Sequence, residues 1–143
     1  MCQVRWIDID AYRHVNNTVY LRYLEQARIE MMSFLAGQAD GLRGPDAQES
    51  DGFVIAELEI AFRRPILFRP DPVVVCTWVT HLGRTSWSVR QSIRDTGPDP
   101  VEYASGTSRL VAIDRVSTRP RPLRDYERAF LVRHRDPDSQ VSA

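Results

Sequence analysis

The sequence predicts an α+β fold: one long helix, a mainly antiparallel sheet of five strands and a short helix near the C-terminus. Three observations carry that reading. Apolar residues recur every three to four positions from Tyr20 to Leu35, and the period switches to two from Phe53 onward. Pro and Gly clusters then cut the second part into four strand-length runs. Finally, 143 residues with 43% apolar content suit one ordinary domain with a real core. The expected domain is 1–133, with 134–143 as a frayed tail.

Each element follows from local pattern. Cys2, Val4 and Trp6 alternate with Gln3, Arg5 and Ile7, which predicts a short opening strand. Asp8 to Asn17 is polar and irregular. Asn16 or Asn17 then caps a helix in which Tyr20, Leu24, Ala27, Met31 and Leu35 form the apolar face and Arg22, Gln26 and Glu30 the polar one. About twenty residues make it roughly 30 Å long. Gly37 is expected to end it, and Gln38 to Gly52 to form a surface loop. Val54, Ala56, Leu58, Ile60 and Phe62 alternate with Ile55, Glu57, Glu59 and Ala61 in the next strand. Val73–Thr80, Ser86–Arg94 and Glu102–Asp114 follow as strands, and Leu123–Val132 as a short amphipathic helix after Pro120 and Pro122. One helix covers one face of such a sheet, and its edge strands favour self-association.

Composition narrows the function. Nineteen basic and nineteen acidic residues cancel, which gives no electrostatic case for nucleic acid or membrane binding. The charges are nonetheless uneven: residues 1–62 carry net −5 and residues 63–143 net +5. All nineteen basic residues are arginine, which excludes lysine chemistry. Cys2 and Cys76 stand alone, and His14, His81 and His134 are too scattered to suggest a metal site. No apolar run is long enough for a membrane span, and Arg5, Asp8 and Asp10 interrupt any signal-peptide core. The expected location is therefore the cytoplasm. GxSxG, GxGxxG and P-loop motifs are absent.

One segment bears chemistry: Asp8-Ile-Asp10-Ala-Tyr-Arg-His14-Val-Asn16-Asn17-Thr-Val-Tyr20, continuing to Glu25. It places a carboxylate and an imidazole in a loop that feeds a helix N-terminus, where free N–H groups and the helix dipole stabilise an anion. Acyl transfer needs that pairing, with one group attacking or activating water and another accepting charge as the carbonyl turns tetrahedral. From spacing alone a second reading stands beside it, in which Asp10 and the asparagines merely cap the helix. Asp8 reads as a solvated or capping carboxylate, and Glu25 as a surface charge, solvated or paired with Arg22 or Arg28.

The run D-x-D-A-Y-x-H-V-N-N-x-x-Y-L-x-Y-L-E resembles the signature of the 4-hydroxybenzoyl-CoA thioesterase-like acyl-CoA thioesterases of the hotdog fold. Phe62-Arg-Arg-Pro65-Ile and Leu82-Gly-Arg-Thr-Ser86-Trp resemble that family's second and third strands. The resemblance spans roughly residues 2 to 115. It implies a long helix wrapped by an antiparallel sheet, a homodimer with a sheet continuous across both subunits, and sites at the dimer interface; homodimer and dimer of dimers are both open as the final assembly. It implies hydrolysis of an acyl-CoA thioester with no metal or redox cofactor. Asp10 falls on the family's catalytic carboxylate, and Asn17 where a backbone N–H polarises the thioester carbonyl. His14 aligns with a histidine of the related plant acyl-ACP thioesterases, and another hotdog thioesterase branch carries its carboxylate on the helix, which makes Glu25 a second candidate base. Tyr20, Arg63, Arg64, Arg84 and Ser86 are the expected substrate contacts, the arginines for the phosphates of coenzyme A. The position before His14, often glycine in the family, is Arg13 here. Acyl-ACP thioesterase and non-catalytic acyl-CoA-binding module are the alternatives.

Overall fold

The structure, a computed structural model, describes residues 1–35, 48 and 50–135. Its elements are a 3₁₀ turn (Trp6–Asp8), α1 (Asn17–Leu35), β1 (Asp51–Phe62), β2 (Val74–Leu82), β3 (Ser86–Arg94), β4 (Glu102–Asp114) and α2 (Asp125–Arg133). The strand order is β1-β4-β3-β2. Arg63 N–H donates to Tyr103 O at one end of the β1–β4 pairing and Arg115 N–H to Ser50 O at the other, so the two strands run antiparallel. The predicted end of the long helix at Gly37, the loop from Gln38 and the tail beyond Arg135 fall outside the described residues.

The expected first strand does not form, and the sheet has four strands rather than five. Cys2 makes one antiparallel bridge to Val73, with N–H···O distances of 2.7 and 2.9 Å. Beyond it the opposing stretch carries Pro70 and Pro72, which do not continue a regular ladder. On the other side Asp8 folds back onto the Arg5 N–H (2.8 Å) and closes the 3₁₀ turn. The alternation of Val4 and Trp6 is genuine, but a local cap wins over an unpaired edge.

Two compact units divide the chain. The first comprises Met1–Ile29, Ile60–Thr77 and Gln91–Gly106. Its core joins Val4, Val15, Val19, Tyr20, Tyr23 and Leu24 to Ile66, Val73, Ile93 and Ala104. Of the stripe the period predicted, Tyr20, Leu24 and Leu35 are buried and Ala27 and Met31 half-buried, while Val19 and Tyr23 add to the buried face. Arg28, on the same stripe, is buried too and donates to Gln91 Oε1 (3.1 Å), while Gln91 Nε2 donates to Leu24 O (3.0 Å). Burial pulls the Arg28 guanidinium below its ordinary pKa, and the charge of Glu25 opposes that shift.

The second unit draws on Glu30–Glu59, Trp78–Arg90 and Thr107–Ala143. Leu35, Val79, Trp87, Val89, Leu110, Ala112, Leu123 and Leu131 form its core. Asp51, Arg121, Arg124 and Glu127 make an ion cluster in which Arg121 and Glu127 are buried. Along β1, both alternating sets stay exposed from Val54 to Glu59, because β1 ends the strand order and pairs on one side. The two-residue period there marks a strand and does not mark a buried face.

Candidate active site

The loop from Asp8 to Asn16 is fastened at both ends. Asp8 is 2% exposed. Its carboxylate accepts the Arg5 N–H, the Arg5 guanidinium (3.2 Å) and the Tyr23 hydroxyl (2.9 Å), and its carbonyl accepts the Asn16 N–H (2.9 Å). Burial alone would raise the Asp8 carboxyl, but these donors outweigh it and hold the group below the usual carboxylate range. Burial and the Asp8 charge push the Tyr23 hydroxyl well above its ordinary value. Asp8 is thus a capping carboxylate, as one reading had it, and a buried one rather than a solvated one.

Between these fastenings the chain makes a tight turn. Ile9 bridges Val15, Asp10 N–H donates to His14 O (3.0 Å), and Arg13 N–H donates to Asp10 O (3.0 Å). Arg13 closes the turn at φ +63°, the left-handed region that favours glycine. That accounts for the glycine frequent at this position in the family the sequence resembles. Arg13→Gly is expected to stabilise the protein. Relief of about 1–2 kcal/mol of left-handed strain exceeds the roughly 0.5–1 kcal/mol entropic cost of glycine, for a rise in Tm of about 2–4 °C. A thermal melt of the variant below wild type would mean that the Arg13 side chain contributes more than its backbone costs.

Asn16 caps α1: its Oδ1 accepts the Thr18 N–H (2.9 Å) and its carbonyl accepts the Val19 N–H (2.9 Å). The Asn17 N–H, just ahead of these two, has no acceptor among the described residues. Opposite, Val15 N–H donates to Ile66 O (2.8 Å). The Tyr20 hydroxyl donates to Arg64 O (3.1 Å) and accepts the Ile66 N–H (3.0 Å), and its ring meets Phe62 edge-on at 5.2 Å. Tyr20 therefore holds the 62–66 segment against the start of the helix. The result is a cleft of about 240 Å³ lined by His14, Val15, Asn17, Tyr20, Phe62, Arg63, Arg64 and Pro65.

Five expected site residues thus meet in one place: His14, Asn17, Tyr20, Arg63 and Arg64. Asp10 does not line the cleft. It lies in the adjoining turn, partly exposed, with Oδ1 accepting the Tyr12 N–H (2.9 Å). Arg84 and Ser86 belong to the other unit and flank the β2–β3 turn, where Gly83 N–H donates to Ser86 O (2.7 Å) and Leu123 N–H to Arg84 O (2.9 Å). Neither lines the cleft. Glu25 is exposed on α1. Sequence reasoning missed the fastening of Asp8 by Tyr23. The available signal was two tyrosines on the buried helix face, each with a hydroxyl that needs a partner.

The antiparallel sheet, the long capped helix and the short second helix define a hotdog thioesterase fold. The chain matches the Thioesterase-like superfamily over residues 4–131, and it belongs to that family. It is 35% identical over 117 residues to the long-chain acyl-CoA thioesterase FadM of Escherichia coli strain K12, covering 78% of this chain and 80% of that one. Among solved structures it is similar to a thioesterase of Thermus thermophilus complexed with coenzyme A and zinc. That match has a TM-score of 0.71 at 33% identity and covers 90% of this chain and 92% of that one. A thioesterase-superfamily protein of Jannaschia sp. CCS1 shares the fold at 20% identity, with a TM-score of 0.76 over 99% of this chain and 82% of that one. No helix among the described residues is long and apolar enough to cross a membrane.

Proposed function

We propose that this protein hydrolyses acyl-CoA thioesters to a free acid and coenzyme A. The carrying observation is the unpartnered Asn17 N–H at the start of a 19-residue helix, in a cleft beside the turn that holds Asp10 and His14. A thioester carbonyl directed at that N–H meets a donor already fixed by the Asn16 cap, and the helix dipole adds to it as negative charge develops. Asp10 Oδ2 is the oxygen left over from the Asx turn, and it acts at the carbonyl carbon either as nucleophile or as base for water. His14 orients the water or the carboxylate. Tyr20 shapes the wall of the cleft, and Arg63 and Arg64 face the substrate; Arg84 and Ser86 are proposed as further substrate contacts. The decisive assay is thiol release from a panel of acyl-CoA esters running from short to long and aromatic, given that the FadM relative is a long-chain enzyme. Binding without turnover across the whole panel would sink the reading in favour of a binding module. Turnover confined to acyl carrier protein substrates would move it to the other carrier.

The same reading takes the working domain as 1–133, in the cytoplasm, as a homodimer, alone or paired as a dimer of dimers. Support for pairing comes from β1, which ends the strand order and leaves Val54, Ile55, Leu58 and Phe62 each 39–47% exposed. Light scattering at micromolar concentration is expected to give at least twice the 16.4 kDa chain mass. A monomer under those conditions would leave the edge unpaired and the interface site unsupported.

A further inference from the structure

Arg63 and Arg64 read from the sequence as phosphate contacts for coenzyme A, but their place beside Asn17 argues for a different anion. Asn17, His14 and both arginines line the same cleft. In coenzyme A about thirteen bonds separate the thioester sulfur from the nearest phosphorus, on the order of 15 Å for an extended chain. With the thioester carbonyl at the Asn17 N–H, the phosphates therefore lie a full pantetheine arm away. What remains within reach of these arginines is the acyl carbon itself.

Hydrolysis changes the charge at that carbon. The C–S bond breaks and the water oxygen joins the acyl carbon; one proton goes to sulfur and the other to solvent. A neutral carbonyl becomes a carboxylate. Neither arginine forms an ion pair among the described residues: Arg63 Nη2 donates to Ser105 Oγ (3.3 Å), and Arg64 is held by its main chain. Two guanidinium forks without a protein carboxylate match the oxygens of the new acid and gain little from the neutral ester. The Tyr20 and Phe62 rings supply apolar wall for the first methylenes.

We propose that the cleft is a carboxylate site that retains the acid product, so that the enzyme is inhibited by free acid through Arg63 and Arg64. The proposal rests on the reading that puts the thioester at Asn17. Its test is product inhibition of the full chain by octanoate, with free coenzyme A and 3′,5′-ADP as separate arms. In Arg63→Gln/Arg64→Gln the inhibition constant for octanoate should rise at least tenfold, while those for coenzyme A and 3′,5′-ADP change less than twofold. Weakened inhibition by coenzyme A with octanoate unaffected would make the cleft a phosphate site and overturn the proposal, as would no change in either. On the wild-type chain, octanoate should inhibit at least tenfold better than octanamide; equal potency overturns the proposal without recourse to a variant. A chain that hydrolyses no thioester fails the functional reading instead, and octanoate binding then stays measurable by calorimetry.

Discussion

Asp10→Asn is expected to lower turnover on an acyl-CoA ester by on the order of 10²–10⁴, the range typical of losing general acid–base help. The substitution keeps the side-chain oxygen that accepts the Tyr12 N–H, so the turn from Asp10 to His14 and the left-handed Arg13 should persist. What it removes is the free carboxylate oxygen. Residual activity should remain, because the Asn17 N–H is untouched and one oxyanion donor contributes roughly 3–4 kcal/mol in other enzymes. Asp8→Asn is the informative partner, because it separates chemistry from support. Asp8 is buried under Tyr23 and Arg5, so its loss should cost about 1–3 kcal/mol of stability for a buried acceptor, read as a lower Tm, with turnover per folded molecule largely kept. Turnover lost in Asp8→Asn and kept in Asp10→Asn would reverse the assignment.

Why Asp10 and Asp8 differ was only half legible in the sequence. The D-x-D spacing shows two carboxylates before a helix and leaves both to serve as caps. The difference comes from Tyr23, fifteen residues on, whose hydroxyl reaches Asp8 only once α1 has formed. The helix itself was readable because its period of three to four is local and its cap precedes it directly, and the later strands because their alternation is local too. The opening strand was not, since strand formation depends on a partner and the partner stretch carries Pro70 and Pro72. The same limit applies to Arg63 and Arg64. Their charge is visible in the sequence, but their meeting with Asn17 depends on the Tyr20 hydroxyl gripping the backbone of residues 64 and 66. Arg84 carries the same charge and lies in the other unit.

The buried ion cluster near α2 should produce the largest change in stability. Glu127 is 1% exposed and receives both forks of Arg121, at 2.7 and 3.0 Å. Its Oε1 also accepts the Arg124 N–H (2.7 Å) and thereby caps α2. Glu127→Ala takes away all three bonds at once. Arg121, 8% exposed, keeps Asp51 at 3.1 Å and two backbone carbonyls, one of them on Nη1, but its Nη2 then faces no acceptor. Breaking one side of such a pair costs about 3–5 kcal/mol, because the remaining charge stays buried. At about 2–4 °C per kcal/mol, Tm should fall by roughly 6–20 °C, read by calorimetry at neutral pH. Acid should act on the same cluster. Burial pushes the Asp51 carboxyl up, but the Arg124 hydrogen bond, the Gln48 N–H and the Arg121 charge outweigh it and hold the group below the usual carboxylate range. A depressed folded pKa contributes stability above the unfolded value and loses it as pH falls, so the Asp51 share should fade below about pH 4. Glu127→Gln, which keeps one acceptor and gives up the charge, should fall between wild type and alanine. A loss under about 1 kcal/mol for Glu127→Ala, the range of an exposed pair, would mean that water reaches Arg121 once the carboxylate is gone.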